Sequence, residues 1–388
     1  MLACALVLLT AQTTMHANAT AAADPAIAIE PVASGLRHPW SVAFLPDGDF
    51  LVAEKNGGLM RVDAAGGLHA IDGLPAGVDT AQQLPGDNSG LFEVALDPDF
   101  ADNRRLYFTY ASRVDAATTT RLARAELHGD RLAAVTPLFD ATPRSAARHH
   151  YGGGLLITRE GLLLLTVGER HFHERDNPPL PVAQDVADRR GKVYRFTLDG
   201  APAPGNPDFG PGAVPGLYAI GIRAAQGLAE DPDSGRIWMS EHGPVGGDEI
   251  NHLLPGANYG WPVQTAGRYR DAGYRPGRRL HDARYTAPAW TWAERTVAPA
   301  GIALYSGAAF PDWHGDLLVA GLGTGALLRV ELDGERVAAV HALWTGTRLR
   351  NVGQSPDGTL YVLTDEADGR LLRIAAAERE PNGDRHGD

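Results

Sequence analysis

The chain has 388 residues, with 35 Lys and Arg against 47 Asp and Glu, a formal charge of −12. That balance argues against a general binder of nucleic acid or anionic lipid, which needs basic patches to displace counterions. With 44% hydrophobic and 21% charged residues, the composition also excludes broad disorder. Glycine is in excess, 46 residues or roughly 12% against a usual ~7%. Together with 27 prolines it points to many turns and many short strands rather than long helices.

In chain order, Leu2 to Thr10 is an apolar run too short to span a bilayer. Ala17-Asn18-Ala19 follows as a small-x-small cleavage pattern, with Ala21-Ala22-Ala23 as a second choice. The segment 1–23 therefore reads as a secretory signal peptide, although its start carries no Lys or Arg. The expected location is periplasmic or secreted. No later stretch approaches 18 apolar residues, so no membrane-spanning segment is expected in the mature chain. Cys4 is the only cysteine, and a chain starting at 24 has none. Disulfides, cysteine-bound zinc and thiol catalysis are then excluded, and a bound ion becomes a plausible substitute staple.

From residue 24 to 377 one pattern recurs, a turn followed by a short strand. Pro46-Asp47-Gly48 precedes Phe50 to Ala53, and Asp97-Pro98-Asp99 precedes Leu106 to Thr109. Arg159-Glu160-Gly161 precedes Leu162 to Val167, and Asp231-Pro232-Asp233 precedes Arg236 to Met239. Pro311 to Gly315 precedes Asp316 to Val319, and Pro356-Asp357-Gly358 precedes Thr359 to Val362. Pro presets φ, Asp caps the turn, and Gly takes the left-handed position. Six such units predict an all-β, six-bladed β propeller as one domain over 24–377, in which radial repetition hides strand edges. A large β sandwich is the alternative. Ile27-Ala28-Ile29 could close the ring by joining the last blade. The wider spacing in the middle predicts loop insertions near 113–150 and 170–290. The segment 378–388 is a polar tail.

Five segments could carry chemistry. His149-His150-Tyr151 beside Gly152-Gly153-Gly154 puts an imidazole where backbone can approach a ligand, and His is the natural base near neutral pH. Glu169 could orient that imidazole, or form a surface salt bridge. His171 and His173 could bind metal or lie on a solvated loop. Arg223 and Gln226 could clamp a carboxylate or quinone oxygens, or be structural. Ser240 to Asn251, then Gly256 to Trp261, offers carbonyls and carboxylates of the kind that suit Ca²⁺. Arg348 and Arg350 share one side of an extended segment and suggest an anionic ligand, or a solvated edge.

At these motifs the chain resembles the soluble pyrroloquinoline quinone (PQQ) dependent sugar dehydrogenases, above all the aldose sugar dehydrogenases. The likeness runs from about Gly35 to Ile374. It is carried by Gly35-Leu36-Arg37-His38-Pro39-Trp40, Val94 to Phe100, Glu241 to Trp261, Val297-Ala298-Pro299 and Ser355 to Gly358. The resemblance implies PQQ and Ca²⁺ as cofactors. It also implies oxidation of an aldose at C1 to the lactone by hydride transfer to the quinone, with electrons passed to an acceptor it does not identify. His150 would be the general base, Glu169 its orienting carboxylate, and Arg223 the residue stabilising developing charge. Asn88, Gln226, Arg223, Arg348 and Arg350 would hold PQQ. The carbonyls of Gly243 and Pro244 would hold the Ca²⁺ on PQQ, and Glu249 with the backbone at Tyr259 a separate structural Ca²⁺. The chain departs from the family pattern at Asn88 (Gln), Gly154 (Arg), Glu169 (Asp), Ile222 (His), Ala224-Ala225 (Asn-Pro) and Gly323 (Lys). Those changes keep two rivals in view, a Ca²⁺-dependent lactone hydrolase and a sugar- or partner-binding propeller without catalysis.

Overall fold

The computed structural model describes residues 24–80, 87–170, 181–270 and 285–377. The signal segment with Cys4, the polar tail, and His171 and His173 lie outside the described residues. Among the described residues no helix is long and apolar enough to cross a membrane.

The strands form six four-stranded antiparallel sheets, each a blade. The innermost strands are β2 (Pro39–Phe44), β6 (Leu91–Leu96), β10 (Gly152–Ile157), β14 (Ala225–Glu230), β18 (Pro299–Leu304) and β22 (Leu349–Gln354). Each touches the next, and β22 touches β2, so the ring is closed. The six repeated turns of the sequence each lead into the second strand of a blade. These are β3 (Phe50–Glu54), β7 (Arg105–Val114), β11 (Leu162–Val167), β15 (Ile237–Glu241), β19 (Leu317–Gly321) and β23 (Leu360–Thr364). The fold is the six-bladed propeller expected from the repeat.

Closure comes from the N-terminal strand. β1 (Ile27–Leu36) pairs antiparallel with β24 (Gly369–Ala376) as the outer strand of the last blade, Ile29 opposite Ile374. The chain's start and end are thereby tied to one sheet, which leaves no gap in the ring. Six apolar clusters fill the six blade interfaces. Leu51 with Phe108 and Tyr110 seals the first interface, and Leu36 and Leu363 with Val42 and Phe50 seal the last. Burial of these side chains stabilises by about 1.5–3 kcal/mol each, so the ring is held by its interfaces without a covalent staple.

The expected insertions at 113–150 and 170–290 are corrected by the structure. Most of the first is the outer hairpin of the second blade, β8 (Ala117–His128) and β9 (Arg131–Asp140). The second contains the last two strands of the third blade, among them β12 (Lys192–Thr197), and the first three of the fourth, among them β16 (Asp248–His252). β9 mixes polar and apolar residues along its length, which hides it from a reading that looks for apolar runs, whereas Lys192 to Phe196 reads as a strand in the sequence and is one.

One regularity positions the site. All six inner strands carry a register shift against their neighbour near the same end, as between Gly152 and Leu155 and between Leu349 and Asn351. Just before three of them stands a non-glycine residue in the left-handed region, His38, His150 and Ala298. Bulges bend a strand and re-aim side chains. Here they turn the six strand starts toward a common mouth.

Candidate active site

The mouth has an aromatic floor. Trp40, Phe92 and Tyr151 form a row with ring centroids 5.0 and 5.3 Å apart. The Arg350 guanidinium lies 4.2 Å from the Trp40 ring centroid and that of Arg170 3.4 Å from Tyr151. Gly153, two residues after Tyr151, has φ +90°, and a Cβ there would press into Phe92. The glycine run after His150 therefore lets the chain lie directly on this floor.

His150 stands above it. Its Nδ1 is 2.5 Å from Glu169 Oε1, and its Nε2 is 3.1 Å from Arg223 Nη2. A guanidinium has no acceptor, so Nε2 accepts from Arg223 and Nδ1–H donates to Glu169. The arrangement selects one tautomer of a neutral imidazole. The Glu169 side chain is 4% exposed and that of His150 15%. Backbone links hold the group, since Glu169 N–H donates to the Arg223 carbonyl at 2.9 Å. The Arg223 N–H donates to Glu241 Oε1, and its Nη1 donates to the His242 carbonyl at 2.9 Å.

The opposite side of the mouth is cationic. Arg348 Nε and Arg350 Nη2 both donate to Asp365 Oδ2, at 2.6 and 3.0 Å. Arg350 Nη1 donates to Gln226 Oε1 at 2.9 Å, a contact that crosses from the last blade to the fourth. The two arginines are thus on one side of their segment, as the spacing predicts. Arg348 is half exposed and Arg350 is buried. Burial alone would raise the Asp365 carboxyl, but Arg350 and Arg348 outweigh it and hold it well below the usual carboxylate range. His242 lies between the two sides. Burial first, then Arg350, Arg223, His150 and Arg348, push its imidazole far below its ordinary value. It is a neutral ring, and its Nε2 is buried with no partner among the described residues.

A third group lies beside Arg223. One cavity is lined by Arg223, Glu241, Gly243, Glu249, Tyr259 and Trp261, among others. Glu241 and Glu249 are direct cross-strand partners on β15 and β16. Like charges directly opposite are unfavourable. Burial raises Glu241, with Glu249 adding to it, and burial raises Glu249 with Asp248 adding. Glu241 Oε2 is buried without a partner among the described residues. Asp248 is spent structurally. It accepts from the N–H groups of Gly243 (2.7 Å), Val297 (2.6 Å) and Ala298 (2.8 Å), which pins the Gly243-Pro244 turn to the fifth blade.

The structure brings His150, Glu169, Arg223, Gln226, Arg348 and Arg350 to one mouth, with Gly243, Glu249 and Tyr259 in the adjoining cavity. Pro244 follows Gly243 in the pinned turn. Asn88 joins the rim through its N–H, which donates to the Arg148 carbonyl at 2.9 Å. Sequence reasoning missed Asp365, His242 and the role of Glu241. None has a spacing signal, because their partners come from other blades.

The departures have structural causes. A Cβ on Gly154 would lie 2.4 Å from the Gln226 carbonyl oxygen, and one on Gly323 2.8 Å from that of Thr296. Neither backbone accepts the larger residue of the family pattern. Ile222 and Ala224 are buried, and Ile222 packs in the interface between the third and fourth blades.

The residues present suit an anionic quinone and a hard cation. Buried guanidiniums reach the aromatic rings of the mouth, Arg350 at Trp40 and Arg223 at Trp261, and Glu241 Oε2 beside Arg223 is a buried carboxylate oxygen without a partner among the described residues. Among the described residues the carbonyls of Gly243 and Pro244 accept no hydrogen bond from the backbone. No cluster of three or more His, Asp or Glu side chains that could hold a metal exists among the described residues, so carbonyl oxygens would supply most of the ligands.

Comparison with known proteins agrees with this geometry. Residues 36–373 match the family model described as Glucose / Sorbosone dehydrogenase. The chain is 34% identical over 363 residues to aldose sugar dehydrogenase YliI of Escherichia coli, covering 91% of this chain and 94% of that one. It is 28% identical over 416 residues to quinoprotein glucose dehydrogenase B of Acinetobacter calcoaceticus, covering 87% and 85%. The PQQ-bound structure of an aldose sugar dehydrogenase from Streptomyces coelicolor superposes with a TM-score of 0.73 at 30% identity, covering 91% of this chain and 99% of that one. The chain is therefore an oxidoreductase and belongs to the glucose/sorbosone dehydrogenase family.

Proposed function

We propose that this protein is an exported PQQ- and Ca²⁺-dependent dehydrogenase that oxidises an aldose at C1 to the lactone. The observation that carries the reading is the pair of contacts on His150, with Glu169 at Nδ1 and Arg223 at Nε2. Glu169 keeps the proton on Nδ1 and leaves Nε2 the basic atom, its lone pair here accepting from Arg223; an anomeric hydroxyl that displaces this contact can hand its proton to Nε2. The buried Glu169 carboxylate then stabilises the imidazolium that forms. Arg223 is placed to stabilise negative charge developing beside the base.

PQQ, when bound with Ca²⁺, supplies the two-electron acceptor, and the redox chemistry belongs to it rather than to the protein. Arg350, Arg348 and Gln226 would hold its anionic edge, with Asn88 at the rim. The carbonyls of Gly243 and Pro244 would hold the Ca²⁺. Glu249 and the backbone at Tyr259 would hold a second, structural Ca²⁺ next to Glu241. The apolar N-terminal run supports export to the periplasm or beyond.

The test adds PQQ and Ca²⁺ to purified apoprotein and follows quinone absorbance and dye reduction with a panel of aldoses. The expected result is stoichiometric PQQ binding and aldose-dependent dye reduction. Lactone hydrolysis without PQQ, or sugar binding with no dye reduction in the PQQ-loaded protein, would overturn the reading.

A further inference from the structure

We propose that the axial channel behind the aromatic floor is a second ligand site, one that takes a primary alkylammonium, its charged head between Glu93 and Asn351 and its chain along apolar walls. The site lies outside the mouth and does not rest on the PQQ reading.

All six inner strands build the channel, whose volume is about 360 Å³. Phe44, Leu155, Leu156, Leu228, Ile302 and Val352 line it. It opens on the face away from the mouth, where Pro232 and Ser306 are exposed beyond the ends of β14 and β18. A concave, mostly apolar space with a few converging polar groups is the usual form of a small-molecule site.

The polar groups stand at its inner end, one residue past the mouth. Glu93 follows Phe92 of the floor, and Asn351 follows Arg350. Each falls in the register shift of its strand, between Leu91 and Val94 and between Leu349 and Asn351, and such bulges re-aim side chains. A Cβ on Gly301 would lie 2.6 Å from Asn351 Nδ2, so this glycine leaves the amide its place in the channel. Asn351 is 8% exposed, and its amide makes no hydrogen bond among the described residues. The Ser41 hydroxyl beside Glu93 is already spent, donating to the Phe92 carbonyl at 2.8 Å and accepting from the Val94 N–H at 3.1 Å. Buried polar groups left in this state call for a ligand that satisfies them.

The charge of the channel sets the sign of that ligand. No Lys, Arg or His lines it, and Glu230 at the rim is the only other titratable side chain there among the described residues. Glu230 accepts from the Arg159 N–H at 2.8 Å and lies 3.7 Å from its Nε. Glu93 has no such cation, and burial pushes its carboxyl up to about 8. An ammonium draws out the carboxylate form, Asn351 Oδ1 supplies a second acceptor, and the walls take the alkyl chain.

The test titrates hexylammonium chloride into the purified protein without PQQ, sugar or Ca²⁺. Binding heat and melting temperature are read for the wild type and Glu93→Gln, with 1-hexanol as the uncharged control. The wild type is expected to bind hexylammonium saturably and more tightly than 1-hexanol. Glu93→Gln is expected to lose about tenfold or more of the ammonium affinity, the loss of one charge-assisted contact, with 1-hexanol binding unchanged. Wild-type affinity is expected to rise about tenfold or more from pH 6 to pH 9 as Glu93 gives up its proton, the ammonium staying charged up to ~10.4. The profile of Glu93→Gln is expected to be flat. No saturable binding by the wild type, equal affinity for the ammonium and the alcohol, or a wild-type affinity independent of pH would overturn the assignment. So would wild-type affinity in Glu93→Gln. The pH profile needs no variant, and it decides the case if Glu93→Gln fails to fold.

Discussion

Glu169 and Arg223 are joined through the backbone, Glu169 N–H donating to the Arg223 carbonyl at 2.9 Å, while their side chains meet the two opposite nitrogens of one imidazole. A carboxylate on one nitrogen and an obligate donor on the other leave His150 a single tautomer. Glu169→Gln keeps the shape but can present its amide to Nδ1 as either donor or acceptor. We expect kcat to fall about 10²-fold with KM changed little, measured by dye reduction in the PQQ-loaded enzyme. An unchanged kcat would remove Glu169 from the mechanism.

Asp365 is the shared partner of two arginines. Asp365→Asn leaves Arg350 buried beside a neutral amide, which costs about 3–5 kcal/mol for a broken buried pair. The pH sign follows from the lowered carboxyl. Its contribution is present above the unfolded value of ~3.8 and is lost as pH falls through the lower folded value. Urea titrations at pH 7 and pH 3 should therefore show the wild-type advantage shrinking in acid.

Lys192 gives the opposite test. It is fully buried, and its ammonium donates to the carbonyls of Val182 at 2.7 Å and Arg190 at 2.6 Å. Burial pushes it down from 10.5 to about 7. Between those values the unfolded chain holds a proton that the folded one has released, so folding is favoured as pH rises. The stability of the wild type relative to Lys192→Met should grow by up to about 1 kcal/mol per pH unit from pH 7 to 10. A difference independent of pH would contradict a folded-state value near 7.

The facing pair Glu241 and Glu249 predicts a cation effect on stability. Calcium at a hundredfold excess over its dissociation constant should stabilise the apoprotein by about 2.7 kcal/mol, read as a rise in melting temperature. Glu249→Gln should lose most of that rise. An equal response in both proteins would place the bound cation elsewhere.

The ring was largely legible because its punctuation is local. Pro46-Asp47-Gly48 and its five counterparts each spell a turn within three to five residues, and each falls before the second strand of a blade. The closing strand was legible because Ile27 and Ile29 keep an alternating apolar pattern. The outer hairpin over Ala117–Asp140 was not, since its outer face is polar and its turn at Gly129 carries no proline. In the site, Arg348 and Arg350 could be paired from their spacing of two. Their link to Gln226 spans 124 positions and exists only once the ring closes. Asp365 and His242 were missed for the same reason. Each is a single polar residue at a strand end, and only the closed ring supplies its neighbours.

The most direct measurement is aldose-dependent dye reduction by His150→Ala after loading with PQQ and Ca²⁺, with PQQ occupancy confirmed by absorbance. The account predicts that the variant binds PQQ and turns over about 10²- to 10⁴-fold more slowly than the wild type. Turnover at the wild-type rate with PQQ bound would contradict it.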